Sequence, residues 1–267
     1  MTAAGLDCQT NATTSSVERL RLAWHLSKIE VMLFVREPSA MFFTLLFPLM
    51  LLIFVGVVYG DEVDDDGLRY IDVYFPTLLA AVAANLGVMG VTINIAESRA
   101  RGVLRRYRIA PFPFSTYMIS QIVVGLFMYV LSSVSILIAV ALLYGFNLQG
   151  SILLFVAILL LGLAVMMTLG FLIGGLNITV RTSQLIGTVA FFFMFFGSGG
   201  AIPRSQFPVW MQNLTEVNPL THLSDSLIQI YLGRSLSAEI PGLIGLSIGL
   251  FMLIYFANTF FSWEVQP

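Results

Sequence analysis

The sequence predicts an all-α integral membrane protein with six transmembrane helices, and three observations predict it. Hydrophobic residues make up 58% of the chain and charged residues 10%, with a mean hydropathy of +0.90, whereas a soluble domain carries roughly 25% charged residues. Six stretches, near 39–60, 73–96, 115–144, 152–176, 183–202 and 243–263, contain no Asp, Glu, Lys, Arg or His. About 20 helical residues at 1.5 Å each cover the roughly 30 Å of a hydrocarbon core. The basic residues, finally, gather in a few segments between these runs. A strand barrel does not fit, because barrel strands alternate polar and apolar over about ten residues and these runs are apolar on every face.

Residues 1–38 read as a cytoplasmic tail and an interfacial helix. Ser15-Ser16-Val17-Glu18 has capping-box spacing, so a helix starts near Val17, with Leu20, Trp24, Val31 and Val35 along one side. Its charges and Trp24 suit the membrane interface. The first apolar run begins too deep, and is too long, for a cleaved signal peptide, and is expected to remain as an anchor. Pro38 sits where a helix start accepts proline; Pro48 lies within the span and frees a carbonyl that must find another partner. The acidic run 61–66 lacks EF-hand spacing and its bidentate Glu, and is expected to be a solvated loop without a metal.

In the second span Asn85, Thr92 and Asn94 interrupt apolar sequence, and the fifth carries Phe195 and Phe196 in a phenylalanine-rich run. Uncharged amides in a membrane face a cavity or another helix, so these five residues are the candidates for a substrate path. Between the last two spans, residues 203–242 contain two short amphipathic repeats. Asn218 as N-cap and Pro219 at the first helical position mark the start of the second. Each is too short to cross a bilayer, and a re-entrant hairpin in the outer leaflet fits. His222 and Asp225 fall in it without a nucleophile and base pattern, so their expected role is structural.

Loop charges orient the bundle. With a cytoplasmic N-terminus, Arg19, Arg21, Lys28, Arg36, Arg99, Arg101, Arg105, Arg106, Arg108 and Arg181 are inside, ten of the 13 basic residues, while Arg69, Arg204 and Arg234 are outside. Both termini then face the cytoplasm of a cell whose plasma membrane holds the chain. Nucleic-acid binding is not expected at a net charge of -2. Cys8 is the single cysteine, which rules out an intramolecular disulfide and a cysteine-based metal site. The sequons at Asn11 and Asn177 fall on the expected cytoplasmic side, leaving only Asn213.

The segment after the second span, Glu97 to Pro113, has its own punctuation. Glu97 and Arg101 stand in the favourable i to i+4 order, Gly102 permits a reversal, Leu104, Tyr107 and Arg108 suit a short second helix, and Pro111 and Pro113 end it. Glu97, Arg101, Gly102, Leu104 and Pro111 match the Glu-x-x-x-Arg-Gly-x-Leu…Pro pattern, and here the sequence resembles the permease subunits of type-2 ABC exporters, in particular the drug-resistance and lipid-export branch. Gly197 to Pro203 with Phe207-Pro208-Val209-Trp210, and Asn218-Pro219-Leu220-Thr221-His222, resemble the family's outer end of span five and its hairpin. The resemblance implies that Glu97, Arg101, Gly102, Leu104 and Arg105 form a coupling helix that docks on a partner ATPase. It also implies two such ATPases and a second permease copy or homologue.

The chain has no Gly-x-x-x-x-Gly-Lys-Ser/Thr sequence, and Lys28 is its only lysine, so ATP and Mg²⁺ are expected on the partner and no cofactor or metal on this chain. An ion-coupled carrier would keep ionisable relays inside the membrane, and the six runs hold none. A membrane-embedded enzyme would show His-Glu-x-x-His, Gly-x-Ser-x-Gly or paired intramembrane acids, which are missing. The expected function is export of a hydrophobic or amphipathic molecule, drug or lipid-like, with polysaccharide or glycolipid export as the alternative within the family.

Overall fold

The computed structural model describes residues 16–36, 38–60, 63, 67–102, 114–176, 178–200, 204 and 207–260. Among them the regular structure is helical, apart from one isolated bridge between Val63 and Arg69. Helix α1 (Ser16–Val35) begins one residue from the start that the capping-box spacing predicts. It lies against the beginning of α4 (Phe114–Leu143). Ser27 Oγ donates to Ser120 O at 3.5 Å, and Gln121 Nε2 donates to Glu30 Oε2 at 2.7 Å. Trp24 and Ile29 stay exposed on its other side.

Helix α2 covers residues 38–59 as Pro38–Met41, a π-helical turn Phe42–Leu46 and Phe47–Tyr59. Pro48 has no N–H for the carbonyl four residues back, which belongs to Thr44. Ser132 Oγ of α4 donates to that Thr44 oxygen at 2.8 Å, so the freed acceptor is satisfied from a neighbouring helix.

Helix α3 (Tyr70–Ala100) is the axis of the bundle. It packs on α2, α4, α5 (Ile152–Gly175), α6 (Val180–Gly197) and the short α8 (Pro219–Tyr231). Because neighbours surround it, Phe75 and every residue from Leu78 to Ala84 is buried. Its middle, Asn85–Val91, is π-helical, and here it crosses α5 closely. A Cβ on Gly87 would stand 2.4 Å from the Met166 backbone carbon, and one on Gly170 would stand 2.0 Å from the Gly87 oxygen, so both positions exclude a side chain. Small residues at a crossing let two backbones approach, which is how helices pack where lipid removes the hydrophobic driving force.

Among the described residues four helices are long and apolar enough to cross a membrane: Tyr70–Ala100, Tyr117–Leu143, Ile152–Gly175 and Val180–Gly197. Two further apolar helices, Thr44–Tyr59 and Ile240–Phe256, fall short of that length among the described residues. The last lies within α9 (Ile240–Phe260). The second run is longer than its uncharged core because the helix continues through the charged residues up to Ala100. The fifth ends earlier, at Gly197, where Ser198 N–H caps to Met194 O at 2.9 Å, although apolar residues continue to 202. Phe54 and Val57 of α2 and Phe251 and Tyr255 of α9 are largely exposed, an apolar exterior that suits a lipid solvent. Between α6 and α9 lie α7 (Val209–Thr215), α8 and a 3₁₀ turn, Leu236–Ala238.

Candidate functional site

Three places in the bundle carry polar side chains that packing alone does not require. The first is the end of α3. Glu97 accepts from Arg101 across one turn at 2.6 Å, the arginine side chain being 73% and the glutamate 34% exposed. An ion pair so open contributes little stability, which leaves both side chains accessible to a partner. Arg101 caps the helix through its N–H to Glu97 O, and Gly102 follows at φ +69°, a left-handed conformation that costs glycine nothing. Leu104, Arg105 and the remainder of the expected coupling helix, 103–113, lie outside the described residues.

Arg99, on the opposite side of the same turn, is buried. Its guanidinium donates to Gly174 O and Leu176 O, the carbonyls that end α5. A cation on the last carbonyls of a helix satisfies groups that have no intrahelical partner and complements the helix dipole. Sequence reading gave Arg99 only a share of the inner charge, since nothing local to it reveals which helix end lies beside it.

The second place is a half-open cavity of about 320 Å³ lined by α1, α2, α3 and α4. Its polar lining consists of Thr44, Asn85, Asn94, Glu97 and Gln121; Phe34, Met89 and Met128 are among its apolar walls. A hydrogen-bonded chain runs behind it, from Asn94 Nδ2 to Gln121 Oε1 at 3.4 Å and from Gln121 Nε2 to Glu30 at 2.7 Å. Burial pushes the Glu30 carboxyl up to about 7, the Gln121 hydrogen bond opposing that shift. Neither Glu30 nor Gln121 stood out in the sequence, because they are 91 residues apart and each is an ordinary polar residue in its own segment.

Of the five residues on the expected substrate path, Asn85 and Asn94 line this cavity. Asn85 also borders a crevice of about 40 Å³ with Phe191, Phe192 and Phe195, so the two spaces share a wall. Phe195 stacks on Phe191 with ring centroids 5.8 Å apart, and Phe196 on Phe192 at 6.0 Å, Phe196 remaining largely exposed. Thr92 faces α5 and donates to Gly170 O at 3.3 Å.

The third place is the opposite end of the bundle. Asn218 caps α8, its Oδ1 accepting from Leu220 N–H at 3.0 Å, while its Nδ2 donates to Met194 O at 2.8 Å and fastens α8 to α6. Pro219 opens the helix as its first residue. Asp225 pairs with Arg204, and His222 Nε2 meets Glu216 O at 2.7 Å. On the far side of α8, Arg69 holds Asp72 through two hydrogen bonds of 2.9 and 3.0 Å, and Tyr231 Oη donates to the same carboxylate at 3.3 Å. The Asn218–Met194, Arg204–Asp225 and Tyr231–Asp72 contacts join separate segments of the chain at this end. Among the described residues no group of His, Cys, Asp and Glu is placed to hold a metal ion.

The ABC-2 type transporter family profile matches residues 21–232. Two curated relatives, from Escherichia coli K12 and Escherichia coli O157:H7, both named Probable multidrug ABC transporter permease YbhR, are 30% identical to the chain over 159 residues. That stretch is 59% of this chain and 43% of theirs, so the chain spans less than half the length of the relatives it matches.

Proposed function

Because the chain belongs to the ABC-2 type transporter family, we propose that it is the membrane permease subunit of an ATP-driven exporter. In this reading a separate ATPase subunit, in two copies, binds ATP and Mg²⁺ and drives two permeases, this chain with itself or with a homologue. The cargo is a hydrophobic or amphipathic molecule, drug or lipid-like, that leaves the cytoplasm or the inner leaflet of the plasma membrane. Six spans, cytoplasmic termini and a re-entrant α7–α8 hairpin complete the arrangement. The multidrug name of the Escherichia coli relatives supports the cargo class.

The observation that carries this reading is the end of α3. An accessible Glu97–Arg101 pair is followed by a glycine reversal on a helix that runs unbroken through the core of the bundle. Force applied to that turn reaches Asn85 and Asn94 without crossing a flexible joint. Asn85, Asn94, Phe195 and Phe196 form the route and Thr92 holds it against α5; the cap and ion pair of Asn218, Pro219, His222 and Asp225 fix its outer end.

Co-purification with the ATPase tests it. Glu97→Ala with Arg101→Ala leaves the fold intact, since the pair is exposed, and reduces ATPase retention about tenfold or more, the loss expected of a central charged contact. Transport by the chain alone, or transport indifferent to ATP, would refute the exporter reading.

A further inference from the structure

The cavity between α1, α2, α3 and α4 has amide side chains with free hydrogen-bonding capacity on its wall. The Asn85 side chain has no hydrogen-bond partner among the described residues, and Asn94 uses only its Nδ2, on Gln121. Glu30 Oε2 accepts, so Gln121 turns its N–H to Glu30 and its Oε1 to Asn94. Asn94 then donates one N–H to Gln121, and its carbonyl oxygen and second N–H are left for the cavity. Glu97 adds a carboxylate where α3 emerges. Among the described residues no Lys, Arg or His lines the space.

A wall of neutral amides, one hydroxyl and one acid, with no base among its described lining, disfavours an anionic head and suits one that carries positive charge and donates hydrogen bonds. The remaining wall includes Phe34, Met89 and Met128, and methionine adapts to irregular apolar shapes. The volume falls at the small end of the roughly 300–1,000 Å³ of small-molecule sites. Arg101 reaches Glu97 from the exposed side, so a cationic head displaces only a surface ion pair.

We infer that this cavity, contained within one chain, binds the protonated amine head of an amphipathic molecule, Glu97 pairing with the charge and Asn85 and Asn94 accepting its N–H groups. The site gives a chemical class to the cargo of the proposed exporter, and in that respect rests on it. Binding itself needs no ATPase, so the two stand or fall by different measurements.

The chain alone, in nanodiscs of zwitterionic lipid, is titrated with radiolabelled dodecylammonium, dodecanol and dodecanoate, empty nanodiscs serving as the blank. Dodecylammonium is expected to bind about tenfold more tightly than dodecanol, as one charge-assisted hydrogen bond implies, and dodecanoate not to saturate. Glu97→Gln removes the preference for the amine while dodecanol binding persists. Met89→Trp fills the cavity and abolishes both, with unchanged gel-filtration and dichroism profiles as the folding control. Equal binding of the three probes, or an undiminished amine preference in Glu97→Gln, overturns the site. So does wild-type binding by Met89→Trp. Should Met89→Trp fail to fold, Asn94→Leu replaces it: weaker amine binding supports the site, and wild-type affinity overturns it. ATPase co-purification is scored separately and decides only the exporter reading.

Discussion

Arg99 is the one buried charged side chain among the described residues, and it is spent on two carbonyls of another helix. Arg99→Met strands those carbonyls and should lower stability by about 2–4 kcal/mol, read as a depressed unfolding midpoint in detergent, with Arg99→Lys recovering part of the loss because an ammonium lacks the planar fork. Glu30 gives a pH signature. Its carboxyl titrates at about 7 in the folded chain and at its ordinary 4.5 when unfolded. The folded state therefore holds the extra proton between those values. The stabilising contribution is full below about 4.5 and lost as pH rises through 7, a swing of about 3 kcal/mol that Glu30→Gln should flatten in melting curves from pH 5 to 8.5. At this scale the sequence reveals contacts that follow helical spacing, such as Glu97 with Arg101. It conceals those joining distant segments: Arg99 and Arg101 look alike in sequence, and the partner of the carbonyl freed by Pro48, Ser132, depends on the register of α4.

Among the helices, the α3–α5 crossing should be the least tolerant of added volume. Gly87→Ala and Gly170→Ala each force backbone apart and should cost about 1–3 kcal/mol, whereas Gly245→Ala and Gly249→Ala in α9, where a Cβ meets nothing within 4 Å, should leave the unfolding midpoint unchanged or slightly raised. Gly170 and Gly174, one turn apart on α5, both meet α3 of the same chain. The short amphipathic repeats around Asn218 were readable in the sequence, because capping residues and a first-turn proline act locally. The π-helical segment of α3 was not: it lies where α3 meets α5 closely, and no residue type within 85–91 specifies it.

For the molecule as a whole, composition and uncharged runs disclosed the helical membrane class, since a bilayer permits few other solutions. The cavity had no linear signal, being assembled from one or two residues on each of several helices. Orientation can be read directly. In a Cys8→Ser background, Arg234→Cys should react with a membrane-impermeant maleimide on intact cells, and Arg181→Cys only in inverted vesicles. The reverse pattern would turn the bundle over and detach Glu97 from any cytoplasmic partner.

A helical turn closed by i to i+5 bonds lodges one residue more than an α-helical turn. The two halves of α3 are separately anchored, Leu79 O to Tyr129 at 3.2 Å on one side of Asn85–Val91 and Thr92 to Gly170 at 3.3 Å on the other. Deleting a single residue between them therefore regularises the helix while both anchors keep their register. A relative built without this wide turn should align with the present chain along all of α3 except for one gap near residue 88.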